Sequence, residues 1–106
     1  MDIIISTTFD VPGKKIVDNL GLVRGNTVRT RNIGVDIGAA FKNIVGGEIK
    51  NYTEMISQAR DEALNRMINQ AIDLGADAVV GVRFTTSTIV AGAVEMLAYG
   101  TAVKLK

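Results

Sequence analysis

The stretch Asn51–Val82, NYTEMISQARDEALNRMINQAIDLGADAVVGV, decides the fold, because it reads as one helix, a glycine stop and a buried strand. Asn51 is placed to cap the first turn, and Glu54, three residues on, can reach back to the cap backbone. Met55 to Leu74 contains no proline or glycine and is rich in strong helix formers, among them Ala59, Glu62, Ala63, Leu64 and Met67. Glu62 precedes Arg66 by one helical repeat, the favourable order for an ion pair. Gly75 supplies the left-handed residue on which helices end.

The apolar positions of this helix divide into two stripes. At 100° per residue, Tyr52, Ile56, Ala59, Ala63, Met67, Ala71 and Leu74 share one broad face, expected against the subunit's own sheet. Leu64, Ile68 and Ile72 form a second ridge beside it. That ridge needs a cover, and either a neighbouring subunit or a short helix over Ile33–Val45 would serve. The neighbour is the better cover, because Gly34 and Gly38 weaken the short helix by about 1 kcal/mol each relative to alanine.

Outward from this stretch, Ile3 to Thr8 is β-branched at every position but Ser6 and reads as a buried strand, followed by punctuation at Pro12-Gly13. Ile16 to Arg31 reads as a strand pair or as one bent, bulged strand, with breaks at Gly21 and at a Gly25-Asn26 turn. Asn32 can cap the short helix, and Gly46-Gly47 stops it. Ala78, Val80, Val82, Phe84 and Thr86 alternate as one strand face turned to the helix. Ala91-Gly92 makes a hairpin turn into a last strand, Ala93 to Leu105, with Leu97, Tyr99, Val103 and Leu105 on one face. The expected class is α+β, an antiparallel sheet packed on one long and one short helix in a single domain, residues 1–106.

Composition narrows the function. The chain has 106 residues, 47% of them hydrophobic, and a mean hydropathy of +0.24, high for a small monomer. No apolar run approaches the roughly 18 residues of a membrane span. The absence of a signal-peptide pattern points to the cytoplasm. A net charge of +1 offers nothing to nucleic acid or to an anionic membrane.

Several blocks together resemble the YbjQ-like family. They are Ile4-Ile5-Ser6-Thr7-Thr8, Gly13-Lys14-Lys15-Ile16-Val17, Leu20-Gly21-Leu22-Val23, Ile44-Val45-Gly46-Gly47, Ala59-Arg60-Asp61-Glu62-Ala63, Gly75-Ala76-Asp77-Ala78-Val79-Val80-Gly81-Val82 and Gly100-Thr101-Ala102-Val103. The resemblance implies a β-α-β-β core of dodecin-subunit type and a ring of identical subunits, typically a pentamer. The family is also labelled a heavy-metal-binding domain and has no established activity. Arg83-Phe84-Thr85 departs from the acidic and aromatic residues expected there, so no acidic ion site carries over.

The chemistry of the side chains is restrictive. Soft metals require thiolate or imidazole, and the chain has no cysteine and no histidine. The same absence removes every His-dependent nucleophile, so no catalytic residue, metal ligand or cofactor is assigned. Ser6, Thr7 or Thr8 beside Lys14 or Lys15 is the remaining nucleophile arrangement, and structural hydrogen bonding is the expected use of those hydroxyls. Arg24, Arg29, Arg31 and Lys42 make a basic cluster that a ring would multiply. The sequence therefore favours a ring-forming binding or scaffold module with an interface at Leu64, Ile68 and Ile72. Its rival is an intersubunit binder or enzyme using Ser6, Thr7, Thr8, Arg24, Arg29 and Arg31 on a small anion.

Overall fold

The computed structural model describes residues 2–30, 46–90 and 92–106. Its elements are β1 (Ile4–Ile5), β2 (Ile16–Thr30), α1 (Gly46–Asp73), β3 (Ala78–Val90) and β4 (Ala93–Leu105). The strands form one four-stranded sheet in the order β1-β3-β4-β2. The expected antiparallel sheet is in fact mixed, because β1 runs parallel to β3 while β3–β4 and β4–β2 are antiparallel. The short helix expected over Ile33–Val45 lies outside the described residues.

Helix α1 is longer than its sequence signals imply. It begins at Gly46, so Gly46-Gly47 opens a helix instead of stopping one, and Asn51 lies within the second turn, not at a cap. Its C-terminus follows the sequence reading. Gly75 adopts φ 78°, its N–H donates to Ile72 O, and Ala76 N–H donates to Ala71 O, the paired bonds of a Schellman ending. Ala59, Ala63, Met67 and Ala71 are fully buried on the sheet, as the first stripe requires. Leu74 is not part of that face, since it lies beyond the last turn and is half-exposed. Leu64 and Ile68 are partly buried against the same core, and Ile72 is 50% exposed.

Strand β2 is one continuous strand, and its irregularities fall near Ile16/Asp18 and Asn19/Gly21. Gly25-Asn26 is not a turn. Both residues pair with β4, opposite Ala98 and Leu97. Gly25 faces the helix so closely that a Cβ there would lie 2.2 Å from Ala63 O and 2.4 Å from Met67 N. No side chain fits, and the alanines of α1 with Ala98 and Ala102 of β4 complete a layer of small residues.

The alternation expected in β3 breaks at a bulge. Ser6 N donates to Val79 O and Val82 N donates to Ser6 O, one residue more than a regular parallel ladder allows. Gly81 takes up the extra residue at φ 63°, with its N–H on Thr8 O. Val79 and Val82 therefore join the helix-side core, whereas Ala78 and Val80 pack with Val11 and Val103 on the opposite face. The assignment of Val80 and Val82 to one face is corrected by this switch. Only Ile4 and Ile5 of the expected Ile3–Thr8 strand form regular strand, and Ser6 to Thr8 make an irregular bend that stays bonded to Val79, Gly81 and Val82.

Candidate functional site

The residues expected to form an anion or catalytic site are dispersed by the fold. Arg29 lies on the helix side of β2, where its guanidinium pairs with Glu62 of α1. Glu62 also holds Arg66, whose Nη1 donates to Asn26 O at 2.6 Å. Hydrogen bonding from Arg29, reinforced by the charges of both arginines, holds the Glu62 carboxyl below its ordinary value. Arg24 lies on the opposite face of β2, and Arg31 and Lys42 lie outside the described residues. The expected pairing of Arg29 with Arg24 in one patch does not occur, because residues five apart on one continuous strand point to opposite faces of the sheet.

Ser6 and Thr8 are engaged with each other. Thr8 Oγ1 donates to Asp10 O at 2.5 Å, which leaves Ser6 Oγ to donate to Thr8 Oγ1, also at 2.5 Å. Ser6 Oγ in turn accepts the Thr8 N–H at 3.1 Å. Both hydroxyl protons are committed to oxygen acceptors, an arrangement that fixes a turn and leaves neither oxygen with a base. The Thr7 carbonyl accepts Arg83 Nη1 at 2.9 Å.

Arg83 is the residue that sequence reasoning set aside. Its Nη1 also donates to Val82 O at 2.8 Å, and its guanidinium sits 5.5 Å from the centre of the Phe9 ring. In the register of the sheet Arg83 stands opposite Tyr99, and Tyr99 opposite Arg24. Three strands thus bring two arginines to either side of one tyrosine on the face away from α1. No signal in the sequence links Arg24, Arg83 and Tyr99, because alternation assigns residues of different strands to one face only once the register is known.

At the lower end of the sheet an open recess of about 300 Å³ is lined by Asp2, Ile4, Lys14, Asp77, Leu105 and Lys106. Asp77 Oδ2 accepts the Leu105 N–H at 2.8 Å, the main cause of its lowered pKa, with Lys104 beside Oδ1 at 3.5 Å. Two carboxylates and two ammonium groups oppose one another there, so the recess selects neither anions nor cations. Among the described residues no three carboxylates, histidines or cysteines converge in metal-binding geometry. Glu62 and Asp77 are already held by cations and N–H groups. This donor set does not fit a soft metal ion.

Residues 3–106 match a family model, YbjQ, described as "Putative heavy-metal-binding". The chain is 63% identical over 105 residues to a UPF0145 protein of Archaeoglobus fulgidus, covering 99% of this chain and 97% of that one. It is 60% identical over 102 residues to a UPF0145 protein of Methanoculleus marisnigri, covering 96% and 95%. A crystal structure from Pediococcus pentosaceus, titled a protein with unknown function of the DUF74 family, superposes with a TM-score of 0.67. That match is 20% identical, covers 98% of each chain and shares the fold.

Proposed function

The chain belongs to the YbjQ-like family, and from that premise we propose that it is a ring-forming binding or scaffold module without a catalytic centre. The proposed unit is one domain over residues 1–106 with a dodecin-like β-α-β-β core. The proposed assembly is a pentamer of identical copies, located in the cytoplasm. Among the described residues no helix is long and apolar enough to cross a membrane.

The observation that carries this reading is the radius of gyration, 17.3 Å. A compact chain of this length has about 13 Å. In this reading, neighbouring copies cover the apolar side chains that so extended a subunit exposes. Leu22, Val28 and Ile89 on the strands and Ile72 on the helix are each half-exposed or more. The Leu64–Ile68–Ile72 ridge is the proposed contact to the next subunit. Native mass spectrometry should give a single ring mass, with five copies expected. A monomer at micromolar concentration overturns the reading. Ile68→Glu should lower the mass to that of a subunit while far-ultraviolet circular dichroism retains the helix.

The family's metal description is not adopted for this chain, because the thiolate and imidazole donors are absent. Calorimetry with zinc or copper on untagged protein should show no stoichiometric submicromolar binding.

The row Arg24–Tyr99–Arg83 favours a second reading, a small-anion site on the open sheet face. Titration with inorganic pyrophosphate distinguishes the two. Saturable binding lost in Arg24→Gln and Arg83→Gln supports the anion site, and no heat above dilution leaves the scaffold alone.

A further inference from the structure

We propose that the lower end of the sheet holds a site for a free α-amino acid with an aliphatic side chain. The site goes beyond the ring reading, is separate from the Arg24–Tyr99–Arg83 row, and stands or falls without either.

Two recesses meet there. The open one of about 300 Å³ carries Lys14 and Lys106 on its walls. A smaller one of about 100 Å³ is lined by Ile3, Ile72, Gly75 and Ala76, together with Lys104. Its volume is several times what one water needs. Asp2 and Asp77 line both recesses, so the two carboxylates mark the divide between a charged side and a mainly apolar one.

The charged groups at this end are unequally committed. Asp77 is occupied, with Oδ2 on the Leu105 N–H and Oδ1 facing Lys104, whose ammonium also donates to Gly75 O at 3.0 Å. Asp2, Lys14 and Lys106 have no side-chain hydrogen bond or ion pair among the described residues. Their backbone surroundings are nonetheless fixed. Ile4 N–H donates to Asp77 O at 3.1 Å, Lys14 N–H closes a turn on Val11 O at 3.0 Å, and Lys106 pairs with Lys15 in both directions. Walls held in this way do not have to be ordered by the ligand.

That combination disfavours an ion of either single sign. An anion drawn to Lys14 and Lys106 is repelled by Asp2 and Asp77, and a cation meets the reverse. A ligand with both charges and no net charge gains at both, through charge-assisted hydrogen bonds. An α-amino acid carries on one carbon the three groups that these surfaces take. Its ammonium goes to Asp2 at the divide, its carboxylate to Lys14 and Lys106 on one side, and its side chain to Ile3, Ile72 and Ala76 on the other. A few placed polar groups beside an apolar wall are the usual make-up of a small-molecule site.

Calorimetry with L-leucine and three analogues tests each part of the site. L-leucine should bind saturably, one per chain, with a Kd of about 1 mM or tighter. Leucinamide lacks the carboxylate, 4-methylpentanoate lacks the ammonium and glycine lacks the side chain. Each should bind at least roughly tenfold more weakly, since a hydrogen bond to a charged group or a buried aliphatic side chain is worth at least that factor. Asp2 and Lys14 are exposed, so their variants should keep the fold, and circular dichroism checks that they do. Asp2→Asn should weaken L-leucine by a similar factor without weakening 4-methylpentanoate. Lys14→Gln should weaken L-leucine without weakening leucinamide. No saturable heat from L-leucine at about 10 mM overturns the proposal. Leucinamide or 4-methylpentanoate binding as tightly as L-leucine also overturns it, as does parental L-leucine affinity in both variants. Glycine binding as tightly as L-leucine overturns the role of the apolar recess.

Discussion

The two edges of this sheet have been treated differently. At β2 the helix lies against the strand, and its side chains occupy the backbone groups that an edge leaves free. Gln70 Oε1 accepts the Arg24 N–H at 2.7 Å, and Arg66 Nη1 donates to Asn26 O at 2.6 Å. The two helix residues are one repeat apart, as are the alternate strand groups they satisfy. Among the described residues, the β3 edge past Arg83 carries neither helix nor charged side chain. The comparison teaches that helix side chains close the β2 edge of the sheet, whereas no described element does the same for β3 beyond Val82.

The comparison breaks most completely when the helix leaves the sheet. Val82→Asp places an unpaired charge in the helix-side core and should cost on the order of 3–5 kcal/mol, enough to abolish soluble protein. Val80→Asp should fail equally, although through the opposite cluster. Parental expression and melting of either variant would contradict its burial. Next in size is Gly25→Ala, whose Cβ has no room beneath Ala63 and Met67. Overpacking of this kind costs about 1–3 kcal/mol, readable as a lower urea midpoint at unchanged slope.

Smaller changes sharpen the contrast without unfolding the chain. Gln70→Ala removes one acceptor, for a loss of about 1 kcal/mol. Hydrogen exchange should then quicken at the Arg24 amide and stay unchanged at the Ser6 amide, which donates to Val79 O. The smallest effect is that of acid. The Glu62 carboxyl titrates lower in the fold than in the unfolded chain, so its bridge between Arg29 and Arg66 stabilises fully above the ordinary carboxylate value near 4.5. That contribution is lost as the pH falls through the lower folded value. Melting temperature should fall from pH 6 to pH 3, and Glu62→Gln should reduce the fall. An identical drop in the variant would remove Glu62 from the account.

What the sequence by itself determined were features whose causes lie within a few residues. The helix body, its buried stripe of Ala59, Ala63, Met67 and Ala71, and the Gly75 ending follow from periodicity and one backbone conformation. The exclusion of soft-metal and His-dependent chemistry is equally local, because it depends on residue types alone. Tertiary structure decided the rest. Gly25 looked like a turn because glycine permits one, whereas its reason is a helix backbone, 38 residues away at Ala63, that no side chain can share space with. Val80 and Val82 looked like neighbours on one face because strands alternate, yet Ser6 and Thr8, in the bend that follows β1, hold a bulge between them. Arg29 and Arg24 looked like one basic patch, and the sheet itself separates them, giving Arg29 to Glu62 and Arg24 to the row with Tyr99 and Arg83. Side-chain period is written in the chain, but register, bulges and close approaches are set by the strands and helix that meet, and those meetings put distant residues in contact.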